Sequence, residues 1–565
     1  MDVRAAILTT AAVAMTAAFL GHAGLSAQTG AAATASPEAR RWWAHVQFLA
    51  NDNLEGRNTG SEGHKKAAAY VADRFKQAGL EPAGKAGYLQ PVAFVSRKIV
   101  EAESSLALVR DGAAEAVELG PEAAISMRAP TAPEVDAPLV FAGYGLTIPE
   151  ANHDDFADLD ARGKIVVMIA GSPAGVPGPL SAHYQSADVR AANLKRVGAI
   201  GTVTISNPRT TDVPWDRSTL SRLQPAMSLA SASGASTSGA STSATGAAGA
   251  SPASDFKIAL TVNPARAERW FTGSGHTFAE LLAMADAGKA LPRFALQGSL
   301  RGKVKVETTQ LTSDNVAAKL TGSDPVLKDE YVVLTAHLDH LGVGGAINGD
   351  SIYNGAMDNA SGIATLIETA STMAKQKPRP KRSVLFVAVT AEEKGLLGSR
   401  YFATNPTVSA EAIAANINMD MFLPLYPFKI LTVFGLDESD LGATARAVAS
   451  ANGIAVQADP EPARNRFIRS DQYSFIRQGI PALALKVGYE PGSPQAAIAA
   501  AWTKERYHAP SDDLQQPVDL ESAASFTALL GKLADAVANQ PQRPRWNTDS
   551  FFKRFAPQER PSAQP

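Results

Sequence analysis

The chain has 565 residues, with 53 Lys and Arg against 55 Asp and Glu, and no cysteine. That length calls for two or three domains, and a hydrophobic content of 45% can bury a core in each. A net charge of −2 without a dense basic cluster gives no basis for a nucleic-acid partner, while the missing thiols exclude disulfides, a lipid-modified cysteine and thiol catalysis and restrict any metal ligands to His, Asp and Glu.

The first residues have the layout of an export signal. Arg4 sits in a short n-region with Asp2, Ala5 to Leu20 is apolar, and Gly21 to Ala27 supplies small residues for cleavage. The apolar run is short for a spanning helix. The expectation is a signal peptide over residues 1–27, with Ala31 to Ala33 as another place for the cut, and a periplasmic or secreted product with no stable membrane association. Residues 38–134 then open the main domain. Trp42, Trp43, Val46 and Leu49, then Ala67, Ala68, Val71 and Phe75, recur at helical spacing. Between them Asn53 to Ser61 reads as a loop, and Gly79 as the stop of the second helix.

Residues 135–295 read as an accessory domain. Lys164 to Ala170 is a buried-type strand, Ala191 to Gly198 a helix, and Ala199 to Ile205 a second apolar strand, with no clustered catalytic side chains. Within it, residues 229–254 are almost entirely Ala, Ser, Gly and Thr; such a stretch cannot bury enough apolar surface to offset its ordering entropy, so a disordered surface loop is expected. Trp270, Phe271, Phe278, Leu281 and Leu282 offer a helical face afterwards.

Strands alternate with helices over residues 300–540: Tyr331 to His337, the helical Gly355 to Lys375, Ser383 to Thr390, Ala415 to Asp420, Ile430 to Phe434 and Ala482 to Lys486. The fold class implied is α/β, a mostly parallel mixed sheet flanked by helices, with a smaller domain inserted before it. Residues 541–565 are rich in Pro and Arg and read as a surface tail.

Open α/β sheets gather ligands beyond the carboxyl ends of their strands. His337, Glu393 and Asp420 lie at or near such ends; Asp358, 21 residues after His337, begins a helix; His508 lies in a loop with Tyr507. Two imidazoles and three carboxylates suit zinc or a similar divalent ion. Five ligands exceed one tetrahedral site, and two ions roughly 3.5–4 Å apart sharing a carboxylate would need His plus Asp or Glu on each side. Glu392 is then left over as a free carboxylate, as a general base must be. Asp339 reads as the carboxylate that orients a ligand histidine, and His340 as either a ligand or a supporting residue. Arg464, Arg466 and Arg469 are candidates for a substrate carboxylate or for a solvated basic loop.

The segments Ala336 to Gly342, Met357 to Gly362, Ala391 to Ser399, Asn418 to Asp420 and Tyr507-His508 resemble, in order, those of the co-catalytic di-zinc aminopeptidase family, which includes bacterial leucyl aminopeptidases and the glutamate carboxypeptidase II group. The likeness covers roughly residues 304–540. It departs at Gln472, where His is usual. The resemblance implies two Zn2+ per chain, one on His337 and Asp420, the other on Glu393 and His508, with Asp358 bridging. It also implies a cis peptide at Asp358–Asn359, a metal-bridging hydroxide with Glu392 as general base, Asp339 orienting His337, and Tyr507 helping to stabilise the oxyanion. The accessory block resembles a protease-associated domain. The function implied is an exported exopeptidase acting on peptides, by preference an aminopeptidase. Alternatives are a carboxypeptidase of the glutamate carboxypeptidase type, a glutaminyl cyclase-like transferase using one zinc, and a non-catalytic binding protein on the same scaffold.

Overall fold

The computed structural model describes residues 34–209, 211–230, 256–464 and 466–556. The expected signal peptide, most of the low-complexity stretch and the last residues of the tail lie outside them.

A ten-stranded sheet carries the ends that the motifs occupy. Its strands are β1 (Leu89–Ile99), β2 (Ala226–Leu229), β3 (Val306–Leu320), β4 (Tyr331–His337), β5 (Ser383–Val389), β6 (Ile413–Met419), β7 (Ile430–Phe434), β8 (Ala455–Gln457) and β9 (Ala482–Val487). They lie in the order β2-β1-β3-β5-β4-β6-β9-β7-β8, and Glu81–Pro82 adds a short tenth strand beside β3. The centre, β5-β4-β6-β9, is parallel, and the β1-β3-β5 side is antiparallel. Every residue of β5 and β6 is buried, as befits parallel strands covered on both faces.

One face is covered by helices α1 (Pro37–Leu49), α2 (Glu62–Gln77), α3 (Ser361–Lys375) and α4 (Leu520–Asn539), which bury Trp42, Val71, Phe75, Ile363, Leu366 and Phe526 in one apolar cluster with the strands. The other face is covered by Phe402, Phe475 and Ile480. Ser36 and Ser61 cap α1 and α2 by accepting from Ala39 and His64 amides, which satisfies donors a helix start otherwise leaves free. Between these helices the expected loop holds a short turn that buries Arg57 at 1% exposure. Its guanidinium donates to the carbonyls of Leu338 (2.9 Å), Asn354 (2.7 Å), Gly355 (3.0 Å) and Leu49.

A second sheet of eight strands occupies residues 105–303, in the order 113–117, 105–110, 293–303, 134–142, 165–169, 201–205, 258–262, 123–125. The strand–helix–strand pattern is present as Ile165–Ile169, Ala187–Arg196 and Gly201–Ile205. The boundary expected at residue 135 falls too late. Three short strands before it belong to this sheet, because Leu106, Leu108, Ala123 and Ile125 alternate inward as a half-buried sheet requires. Trp270 and Phe271 sit in a short turn apart from the helix Phe278–Asp286, so the single helical face expected there is two pieces. The described part of the tail is also more than a surface strap: Trp546 and Phe552 are buried beside Phe434, Phe467 and Tyr473, and the Trp546 indole donates to the Gly479 carbonyl at 2.8 Å.

His64, at the start of α2, is buried against Ser313, with Nδ1 3.1 Å from its hydroxyl, and Ser313 in turn meets the Thr390 hydroxyl at 2.8 Å. Burial holds this ring's pKa down at about 3, with Arg57 acting in the same sense. The unfolded chain takes up the proton near pH 6.5, so His64 contributes stability above that pH which is lost as pH falls toward 3. Between pH 7 and 5 the loss is about 2 kcal/mol. His64→Gln is therefore expected to flatten the fall of the melting temperature between pH 7 and 5; a slope equal to that of the wild type would contradict the neutral buried ring.

Candidate metal centre

His337 is the last residue of β4, Asp420 follows β6, and Glu392 and Glu393 follow β5. Asp358 lies in the turn that starts α3, and its bond to Asn359 is cis. His508 follows the helix Pro494–Glu505 with φ +55°. Ala391 and Met421, beside Glu392 and Asp420, also hold positive φ (+55° and +48°). Such backbone is costly for residues with a Cβ and is kept where surrounding structure over-determines it.

All five expected ligands converge. His337 Nε2 is 3.1 Å from Asp358 Oδ1 and 3.3 Å from Asp420 Oδ1. His508 Nε2 is 3.3 Å from Asp358 Oδ2 and 3.2 Å from Glu393 Oε2. Asp358 is thus common to two groups. His340 is a second ring at the Glu393 side: its Nδ1 is 2.8 Å from Glu393 Oε1 but 3.9 Å from Asp358 Oδ2. His340, Asp358 and Glu393 lie close enough to hold an ion, as do His337, Asp358 and Asp420. A single atom of His508 lies within 3.3 Å of both carboxylates, whereas His340 reaches only Glu393 that closely. Both rings thus face Glu393, and only His508 also comes this close to Asp358.

The hydrogen bonding tests whether the site fits a cation. His337 Nδ1 is 3.0 Å from the Asp339 backbone carbonyl, which can only accept, so Nδ1 carries a proton. Nε2 then faces two carboxylate oxygens that have no proton to give. A neutral ring would point its lone pair at two anions; only a proton or a metal ion at that point removes the conflict. The buried Asp358 Oδ2 accepts no well-aligned hydrogen bond from a described residue, with only His508 Nε2 near it at 3.3 Å. The donor set, two imidazoles and three carboxylates, fits zinc.

The orienting role expected of the Asp339 carboxylate is corrected by this geometry. The main-chain carbonyl holds His337, while the carboxylate accepts from the amides of Glu392 (3.0 Å) and Glu393 (3.4 Å) and from the Thr59 hydroxyl (3.0 Å). Asp512 does similar work beside Asp358, accepting from the amides of Met357 (2.9 Å) and Asp358 (3.0 Å). The Asp512 pattern was not visible beforehand, although it lies four residues after His508. Arg464 and Arg469 pair with Asp212 of the second unit, and Arg464 and Arg466 with Glu461; Arg469 remains exposed.

The two adjacent glutamates differ. Glu393 contacts His340 and His508. The Glu392 carboxylate makes no hydrogen bond or ion pair with a described residue, and burial, with Glu393, Asp420 and Asp471 nearby, raises its pKa well above the usual carboxylate range against the pull of His337. Tyr507 packs on His508 with ring centroids 3.9 Å apart, and burial raises its hydroxyl far above the ordinary phenol value. A cavity of about 310 Å³ reaches Glu393 and His508, and one of about 80 Å³ reaches Asp420 and Tyr507. A further cavity of about 1740 Å³ lies between the two sheets' units and touches none of the five ligands.

Residues 315–534 match the sequence profile of peptidase family M28. A 112-residue stretch is 38% identical to a "Probable zinc metalloprotease" of Pyrenophora tritici-repentis, covering 20% of this chain and 22% of that one. Another of 248 residues is 28% identical to "Probable leucine aminopeptidase 2" of Aspergillus fumigatus, covering 41% and 46%. The chain thus spans less than half the length of these relatives. Among solved structures, an aminopeptidase from Aneurinibacillus sp. strain AM-1 superposes with a TM-score of 0.52 at 21% identity, over 90% of this chain and 94% of that one, which shows a shared fold.

Without metal, burial disfavours a charged His508 ring, but Glu393 and Asp358 outweigh it and push its pKa up to about 10. At neutral pH this ring must therefore lose a proton to take up zinc. Titration calorimetry of the metal-free protein in buffers of different ionisation enthalpy should show protons released on zinc uptake, and affinity rising from pH 6 to 9. A pH-independent affinity with no released proton would refute the ligand assignment.

Proposed function

We propose that this chain, whose residues 315–534 belong to peptidase family M28, is an exported zinc aminopeptidase that binds two zinc ions and removes N-terminal residues from peptides. What carries the reading is the separation of the neighbouring glutamates: Glu393 is engaged by two imidazoles, and Glu392 stands free beside them. His337, Asp358 and Asp420 would hold one ion, and Asp358, Glu393 and His508 the other. Bound there, zinc would supply Lewis-acid polarisation of the scissile carbonyl and acidify water.

The remaining steps belong to the chain's own groups. Glu392 takes a proton from the attacking water and returns it to the leaving amine; its carboxylate, unengaged by any described residue, is free to do both. Asp339 fixes the turn that aims Glu392, through the amides of both glutamates. Tyr507 keeps its proton across the physiological range and can donate it to the carbonyl oxygen as charge builds there. The carboxypeptidase alternative gains nothing from the cations expected to serve it, since Arg464, Arg466 and Arg469 are paired with Asp212 and Glu461.

Glu392→Gln is expected to lower turnover by about 10²–10⁴-fold, the usual worth of a general base, while metal analysis still returns two zinc ions per chain. Glu393→Gln should lose metal. Near-wild-type turnover in Glu392→Gln would remove it from the base role. A matched substrate pair gives the direction of attack: N-acetylation of a cleaved peptide should abolish hydrolysis, whereas amidation of its C-terminus should not. The reverse pattern would make the enzyme a carboxypeptidase.

A further inference from the structure

The cavity of about 1740 Å³ between the two units exceeds the 300–1,000 Å³ typical of small-molecule sites. Its walls come from both units: Tyr144, Ala170 and Ser206 from one, and Gly395, Leu396 and Tyr473 among those from the other. Among the described residues it is lined by seven arginines against two acids, Asp188 and Asp286. This charge is unexpected in a chain with a net charge of −2.

Carboxylates already neutralise part of it. Arg464 and Arg469 share Asp212, Arg554 meets Glu150 at 2.7 Å, and Arg209 lies 3.8 Å from Asp286. The other three have no carboxylate within ion-pair distance among the described residues. Arg128 donates to the Glu393 main-chain carbonyl at 2.7 Å. Arg477 lies over the Tyr473 and Phe555 rings, at 6.0 and 5.2 Å from their centroids. Arg400 has a buried Nε with no hydrogen-bond partner. Guanidinium groups left in this state are suited to bidentate recognition of planar anions.

The cavity borders the metal centre. Arg469 lines both it and the small cavity that contains Asp420 and Tyr507, and Gly395 and Leu396, directly after the two glutamates, form part of its wall. We propose that this cavity receives the part of the peptide substrate beyond the scissile bond and selects chains that carry carboxylates there. The inference rests on the aminopeptidase reading above and deepens it by naming the substrate class, acidic peptides. The carboxylates can come from Asp and Glu side chains or from the chain's own C-terminus.

The test compares kcat and KM for leucyl-p-nitroanilide, which has nothing to place in the cavity, with those for tetrapeptides that all begin with Leu and continue with Glu-Glu-Ala, Ala-Ala-Ala or Lys-Lys-Ala, each as free acid and as amide. Arg400→Gln/Arg477→Gln is the variant. The expected result is a kcat/KM at least tenfold higher for the Glu than for the Lys peptide, expressed in KM and weakened by salt. It should collapse in the double variant, while hydrolysis of the anilide and the melting temperature stay at wild-type values. A preference that follows the free C-terminus and vanishes on amidation would assign the cavity to the chain end; one that survives amidation would assign it to side chains. Equal kcat/KM for Glu and Lys peptides, or a preference unaltered in the double variant, would overturn the proposal. If no substrate is cleaved, the aminopeptidase reading fails. Fluorescence titration of the labelled Glu peptide into zinc-loaded wild type and double variant still reads the cavity: tighter binding to the wild type supports it, and equal binding overturns it.

Discussion

Carboxylates packed where water is scarce are the constraint on which this structure depends. Asp339, Asp358, Glu393, Asp471 and Asp512 are all buried at or below 8% exposure, with Glu392 and Asp420 beside them. Buried charge of one sign is tolerated only when it is hydrogen-bonded, paired or neutralised. Each acid meets this demand differently. Asp339 and Asp512 accept from backbone amides. Asp471 finds no hydrogen-bond partner for either oxygen among the described residues, and burial pushes its pKa up to about 7. Asp358, Glu393 and Asp420 turn toward imidazoles, and that arrangement is balanced when a cation sits among them.

Arg57 shows how far the fold goes to place charge near this cluster without quenching it. Its guanidinium is buried, yet it donates to four backbone carbonyls and to no carboxylate. It thereby ties the end of α1, the end of β4 and the turn before Asp358 into one block, while its field bears on Asp512, Asp339 and Asp358. A direct ion pair would have taken a carboxylate away from the ligand set.

Much of the centre was legible from residue order. His337, Glu393 and Asp420 stand at strand ends, which are recognisable because β4, β5 and β6 are nearly unbroken apolar runs. Asp358 and His508 required the motif context, since a helix start and a loop have no such signature. What was not legible depends on contacts that sequence spacing does not encode. Thus the His337 ring meets a main-chain carbonyl, where a nearby aspartate side chain was the natural expectation. Asp212 reaches Arg464 and Arg469 from a different unit, about 250 positions away. The start of the second sheet near residue 105 is not legible either, because Leu106 and Leu108 alternate over too few residues to stand out from an ordinary hairpin.

The short strand β2 has a mechanical consequence. The two units are joined by a neck in which the outgoing and returning chains run side by side, Val100 donating to Lys305 at 2.9 Å and Lys305 to the Ser104 hydroxyl at 3.0 Å. A neck of two strands is a natural pivot. But Ala226–Leu229, from within the span of the second unit, is laid along β1 in register with Phe94 to Arg97, just before the neck, and adds a third leg there. A motion that carried this segment with the second unit would have to peel β2 from β1, so four backbone pairings resist the widening of the gap that Arg128, Arg400 and Arg477 line.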